Sequence, residues 1–298
     1  MCDALKGDLR DILIGLLPAL VPLFLFGFYP LAYAAYVSLF RYNLKYPSLY
    51  GFVGGGNYVE VTQTYYFQGS LTSSVIFAVI AIPIILFASL ALAMLAARKF
   101  RGSGFVQWLI LVPWGIPYVV AGLDWKWIFD SNYGLFNAVL LNLSLIDSYK
   151  PWLTMQWPAM IVVIISFIWV TLPLPTLLFL AGIQSIPQEL YEAALVDGAR
   201  AVARFRAITF TWLKPIFLIV VILTTLLSIQ VFDPIYVITQ GGPADFTALI
   251  TYFTFQEMFT FLDFGHASAL AFMIFIVSIV LIFAYFYALR LGRLRLRA

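Results

Sequence analysis

The chain has 298 residues, 63% of them hydrophobic and only 10% charged, with a mean hydropathy of +0.98. A soluble domain carries about 25% charged and 45–50% apolar residues, so a water-covered fold of this size is excluded. The formal net charge of +3 comes from basic residues clustered at the ends of apolar runs, which points to membrane topology and not to nucleic acid.

Six segments are apolar over the roughly 20 residues that a helix needs to cross the hydrocarbon core. They are 12–40, 71–97, 105–129, 158–182, 215–239 and 265–290. The runs do not alternate, which excludes a barrel and leaves helices, the other way to satisfy a backbone in lipid. The first run is longer than the roughly 7–15-residue core of a cleavable signal, so it is expected to stay as the first span. The fold class expected is an all-α integral membrane protein with six transmembrane helices, forming a single permease-sized domain over 1–298.

Thirteen of the 17 Lys and Arg residues fall in alternate segments. These begin with Lys6 and Arg10, continue with Arg98, Lys99 and Arg101, then occupy 200–214, and end with Arg290, Arg293, Arg295 and Arg297. The other four are Arg41, Lys45, Lys126 and Lys150. The positive-inside rule then places both termini in the cytoplasm.

Along the chain, Cys2 is the single cysteine and allows no internal disulfide. The run Gly54-Gly55-Gly56 leads into Asn57-Tyr58 and lacks the Lys-Ser or Lys-Thr of a phosphate-binding loop, so no ATP-hydrolysing site of that type is carried. Asp124 and Lys126 lie near the outer end of the third span, placed to pair or to reach the interface. Trp125, Trp127, Trp152 and Trp157 stand where helix ends meet headgroups, as membrane anchors do. Pro173 and Pro175 predict a kink or unwound turn in the fourth span. The outer segments 41–70, 130–157 and 240–264 are modest, and none reads as a separate domain. His266, the single histidine, leaves almost no material for a metal site or histidine catalysis and is read as incidental.

The cytoplasmic stretch 183–214 carries the most information. Ser185 and Gln188 have the spacing of a capping box, and good helix formers follow as far as Asp197-Gly198, where glycine ends the helix. A second helical stretch, 199–208, then leads to Pro215. Ala193, Ala194 and Ala199 offer a small-residue surface, while Glu192 and Asp197 offer charge. Taken alone, such a segment reads first as an ordinary interfacial linker.

Glu192-Ala193-Ala194, Asp197-Gly198-Ala199 with Arg200, and then Phe205, Ile208 and Pro215 resemble the EAA loop of ABC importer permeases. The pattern departs at Phe210-Thr211, where relatives have Leu-Pro. Phe52-Val53-Gly54 with Asn57-Tyr58, Pro113-Trp114-Gly115-Ile116-Pro117, 119–129, Gly134 to Asn137, and 232–243 resemble the same family. In order and spacing the whole is similar to permeases of the maltose and glycerol-3-phosphate type. The resemblance implies a type I ABC importer permease fold, with the EAA residues docking an ATPase. It also implies a second homologous permease subunit, two ATPase subunits that bind ATP and Mg, and an extracellular sugar-binding protein. It implies no cofactor on this chain.

For the substrate path, Gln230, Asp233 and Tyr236 are spaced near three along the fifth span, beside Phe232 and Pro234. That spacing puts carboxylate, amide and aromatic groups on one helix face, suited to a sugar, although capping or gate packing would use the same residues. A mono- or disaccharide is the expected cargo; glycerol-3-phosphate is the alternative, against which stands the lack of an intramembrane arginine cluster. Two other classes compete. A membrane-embedded enzyme would need clustered acids, histidines or metal ligands. An ATP-independent secondary transporter would need buried carboxylates, for which Asp233 is the single candidate, and no docking loop.

Overall fold

The computed structural model describes residues 15–98 and 101–295. Cys2, Lys6, Arg10, Lys99 and Arg297 lie outside them, as does the beginning of the first predicted span. Helices dominate. Helix α1 (Gly15–Val37) is followed by a small antiparallel hairpin, β1 (Phe40–Arg41) with β2 (Gly51–Phe52), and by α2 (Gly56–Thr62). Then come α3 (Tyr65–Ala96), α4 (Ser103–Leu111), α5 (Tyr118–Ile128) and α6 (Leu135–Asn142). Next are α7 (Gln156–Thr171), α8 (Pro173–Gln184), α9 (Gln188–Val196) and α10 (Ala201–Ile229). The last two are α11 (Ile250–Phe255) and α12 (Phe264–Arg295).

Four of these helices, α1, α3, α10 and α12, are long and apolar enough to cross a bilayer alone. Two bent pairs qualify together, α4 with α5 at 100° and α7 with α8 at 44°, and counting each pair once gives six crossings. The third predicted span, 105–129, is therefore not one rod. A tight turn, Val112–Gly115, interrupts it, because Pro113 and Pro117 donate no backbone N–H and Pro117 is extended with ψ 141°. The bend in the fourth falls at Leu172, just before Pro173 and Pro175.

The fifth predicted span is shifted. It begins at Ala201 instead of 215 and ends at Ile229 instead of 239. Thr211 keeps its backbone donor, and the helix runs on through a wider turn at Phe205–Phe210. The expected second short helix, 199–208, is thus the first part of α10, and no exit turn forms at Pro215, which lies inside the helix. The outer segment 240–264 also contains a helix, α11, continued by a wider turn at Gln256–Thr260.

The chain divides into two compact units. The first comprises the N-terminal part to Thr64 together with Thr254–Ile276. Its hairpin is held by Asn57, whose buried Nδ2 donates to the carbonyls of Ser38 at 2.7 Å and Phe40 at 2.8 Å. The start of α12 is fastened to the same hairpin, with Leu44 N donating to Leu262 O at 2.9 Å and Phe264 N to Tyr42 O at 2.8 Å.

The second unit comprises Tyr65–Phe253 with the chain from Val277 onward. Its core lies where α3, α8 and α10 pack through Ala93, Phe179, Leu180, Leu213 and Val220. Gly182 makes that approach feasible: a Cβ there would stand 2.1 Å from Ile216 Cδ1 and 2.7 Å from Leu213 Cδ2. Small residues serve this purpose in membrane helices, where close van der Waals packing replaces the hydrophobic drive. The segment around α6 is organised by fully buried Asn137. Its Nδ2 donates to the carbonyls of Asp130 and Lys150, and its Oδ1 accepts from Lys150 N and Trp152 Nε1.

Candidate coupling surface and substrate path

Helix α9 forms because Gln188 to Leu195 are nearly all strong helix formers. The capping box expected of Ser185 and Gln188 is not made. Pro187 is the N-cap, and Ser185 Oγ instead donates to Gly182 O at 2.8 Å while Trp212 Nε1 donates to it at 3.1 Å. Ser185 belongs to the end of α8, where its hydroxyl turns back on its own helix.

The end of α9 follows the expectation. Gly198 has φ +71°, and Ala199 N donates to Ala194 O at 2.9 Å while Gly198 N donates to Leu195 O at 3.0 Å. This is a Schellman closure, which satisfies the last carbonyls and favours glycine at the left-handed residue. Arg200 is then extended and caps α10. One hydrogen bond, between Tyr191 OH and Thr209 Oγ1 at 2.8 Å, ties α9 to α10.

What remains of α9 faces outward. Glu192, Ala193, Asp197, Gly198 and Arg200 are exposed, and Ala194 and Ala199 are half-buried. Beside them Leu195 is 56% and Val196 89% exposed. Apolar side chains bared next to acidic ones on a short, well-capped helix are what a protein partner would cover.

The four path residues fall at a break. Pro234 offers no N–H to the carbonyl of Gln230, and its ring crowds that carbonyl, so α10 stops at Ile229. Val231 and Phe232 are not helical, and a short wide turn follows at Ile235–Thr239. Gln230, Asp233 and Tyr236 therefore do not share one helix face, contrary to their spacing. Phe232 and Tyr236 do come together, stacked with centroids 5.4 Å apart. Asp233 is half-buried and Tyr236 is exposed. Lys126, from α5, donates to the carbonyl of Val237 at 3.1 Å and so supports this turn.

The sequence did not single out Tyr118 and Thr171, whose hydroxyls meet at 3.0 Å. Tyr118 opens α5 directly after the first break, and Thr171 closes α7 directly before the second. The prolines at each break were visible; the pairing across 53 residues of chain was not, because it exists only once α5 packs on α7. Irregular backbone at membrane depth is tolerated where protein or a water-filled cavity covers it.

Residues 89–296 match the family described as binding-protein-dependent transport system inner membrane component. The chain belongs to that family. The permease is 35% identical over 280 residues to the trehalose/maltose transport system permease protein MalF of Thermococcus litoralis, covering 94% of this chain and 92% of that one. It is 35% identical over 286 residues to the sulfoquinovosyl glycerol transport system permease protein SmoG of Agrobacterium fabrum, covering 95% and 92%. The trehalose transport system permease protein SugA of Mycobacterium tuberculosis is 33% identical over 247 residues, covering 83% and 78%.

The fold of the permease is that of a bacterial ABC transporter involved in the import of the acidic polysaccharide alginate. The TM-score is 0.80 at 19% identity, over 97% of this chain and 98% of that one. The alginate transporter in complex with its alginate pentasaccharide-bound periplasmic protein gives 0.81 at 20% identity, over 94% of each. Both α9 and the broken segment after α10 lie inside the matched region of the permease.

Proposed function

We propose that the permease is one of two homologous membrane subunits of an ATP-driven, binding-protein-dependent importer of a mono- or disaccharide. The observation that carries this reading is α9, a short helix with a glycine-closed end, bared side chains and one side-chain hydrogen bond to α10. Such an element can receive a moving partner and pass the motion into a membrane-crossing helix. Two ATPase subunits supply that partner, with ATP and Mg bound on them and none required here. An extracellular sugar-binding protein delivers the cargo. The names of the relatives support a saccharide, and a complex of the alginate transporter with its periplasmic protein supports the delivery step. Both termini face the cytoplasm, as the distribution of basic residues asks, and residues 1–298 act as one permease domain.

Nucleotide and cargo must favour different arrangements of the same helices for transport to be coupled. Phe232, Asp233, Gln230 and Tyr236 would then line the path near the end of α10. The test is affinity purification of the tagged chain in mild detergent, followed by mass spectrometry and uptake of labelled maltose and trehalose in proteoliposomes. A stoichiometric ATPase and a second permease, with ATP-dependent uptake, are expected. Recovery of a folded, monodisperse chain alone, with uptake driven by an ion gradient, would favour a secondary transporter. Uptake of glycerol-3-phosphate in place of sugar would overturn the cargo. Glu192→Lys and Gly198→Val should each abolish uptake while leaving the chain inserted.

A further inference from the structure

His266 is not incidental. It stands in the first turn of α12, inside the first compact unit, and both ring nitrogens face carboxylates. Nε2 lies 3.4 Å from Glu60 Oε2, and Nδ1 lies 3.6 Å from Glu257 Oε2 and 3.8 Å from Asp263 Oδ2. These three acids come from α2, from the Gln256–Thr260 turn and from the turn before α12. Glu257 is buried. The cations nearby are few: Arg41 of β1 is paired with Glu60 at 2.6 Å, and Lys45 is directed to the carbonyl of Thr260 at 3.2 Å. A cavity of about 190 Å3 opens beside the cluster, lined by Arg41, Asn43, Tyr46, Glu60, Asp263 and His266. Water and protons therefore reach the imidazole from outside. Among the described residues no such group is arranged to hold a metal ion.

A neutral imidazole has one N–H and one lone pair, whereas the imidazolium donates from both nitrogens. With carboxylates on both sides, the neutral ring must set its lone pair against an anion whichever tautomer it takes. The protonated ring satisfies both sides and leaves Arg41 and His266 against three acids. We propose that His266 with Glu60, Glu257 and Asp263 forms a proton-operated latch that fastens α2 and its hairpin to the segment 256–266. The latch is closed at low pH. The Glu257 carboxylate beside the ring holds the imidazole above its ordinary value near 6.5, so the latch loosens only as pH rises past that value and one nitrogen loses its proton.

Hydrogen–deuterium exchange on the full chain in lipid nanodiscs tests this, comparing pH 5.5 with pH 8.0 after correction for intrinsic exchange. Loss of a charge-assisted bond should speed exchange in 56–62 and 256–263 by about tenfold at pH 8.0. In His266→Gln that contrast should vanish. Glu60→Gln removes the charge of a half-exposed side chain, and it should shrink the contrast by freeing one face of the ring. An equal contrast in wild type and His266→Gln, or none in wild type, would overturn the latch. An unchanged contrast in Glu60→Gln would remove Glu60 from it.

Discussion

Gly182 and Gly198 lie 16 positions apart in the chain and serve opposite needs. Gly182 is required for lack of volume, since any side chain would drive into Ile216 and Leu213. Gly182→Val should cost about 1–3 kcal/mol, the range of overpacked cores, and lower the thermal midpoint of the detergent-solubilised chain. Gly198 is required for its backbone, because a Cβ there meets nothing within 4 Å and only its φ of +71° discriminates. Gly198→Ala should therefore cost about 1–2 kcal/mol and loosen the end of α9 alone. Asn137 is the third residue of this kind. Asn137→Leu orphans the amide of Lys150 and the indole N–H of Trp152, while the carbonyls of Asp130 and Lys150 keep only the N–H groups of Gly134 and Trp152. At about 1–3 kcal/mol for each group left unpaired, the variant should fail to reach a monodisperse state by size-exclusion chromatography.

At the scale of the element, α9 hangs from α10 by Tyr191. Tyr191→Phe removes one hydrogen bond worth about 1 kcal/mol, so amide exchange in 188–196 should quicken roughly fivefold with α10 itself unaffected. Equal protection in both proteins would show that packing, and not the phenol, holds α9. This element was legible in the sequence: its composition gives a helix, Asp197-Gly198 gives the stop, and both stand. Its beginning was misread because Ser185 and Gln188 match a capping pattern that the end of α8 had already claimed. The long helices were legible as apolar runs, but hydropathy is blind to direction. Pro113-Trp114-Gly115-Ile116-Pro117 is apolar throughout and still turns the chain by 100°. The path residues failed in a related way, since spacing predicts a common face only on an unbroken helix, and Pro234 breaks it. Tyr118 with Thr171, and Glu60 with His266, had no local signal, because each pair joins segments far apart in the chain; Asp263 stands only three positions before His266.

At the scale of the whole molecule, the membrane-length helices among the described residues are little covered. None of the most apolar window of α1 is buried, and 28% of that in α3 is. Phe26, Phe87 and Phe283 point away from the protein, as lipid-facing side chains do. The proposed orientation can be read on this surface with single cysteines in a Cys2→Ala background. Tyr46→Cys should react with an impermeant maleimide on intact cells, and Val196→Cys only after permeabilisation. The reverse pattern would invert the topology. The bared Leu195 and Val196 carry one more consequence. A copy synthesised without the proposed partner keeps an uncovered greasy corner, which is the mark that cellular quality control acts on. Steady-state abundance of the chain should then follow the supply of whatever covers α9, so that matched subunit amounts are enforced by degradation of the surplus and not by synthesis alone.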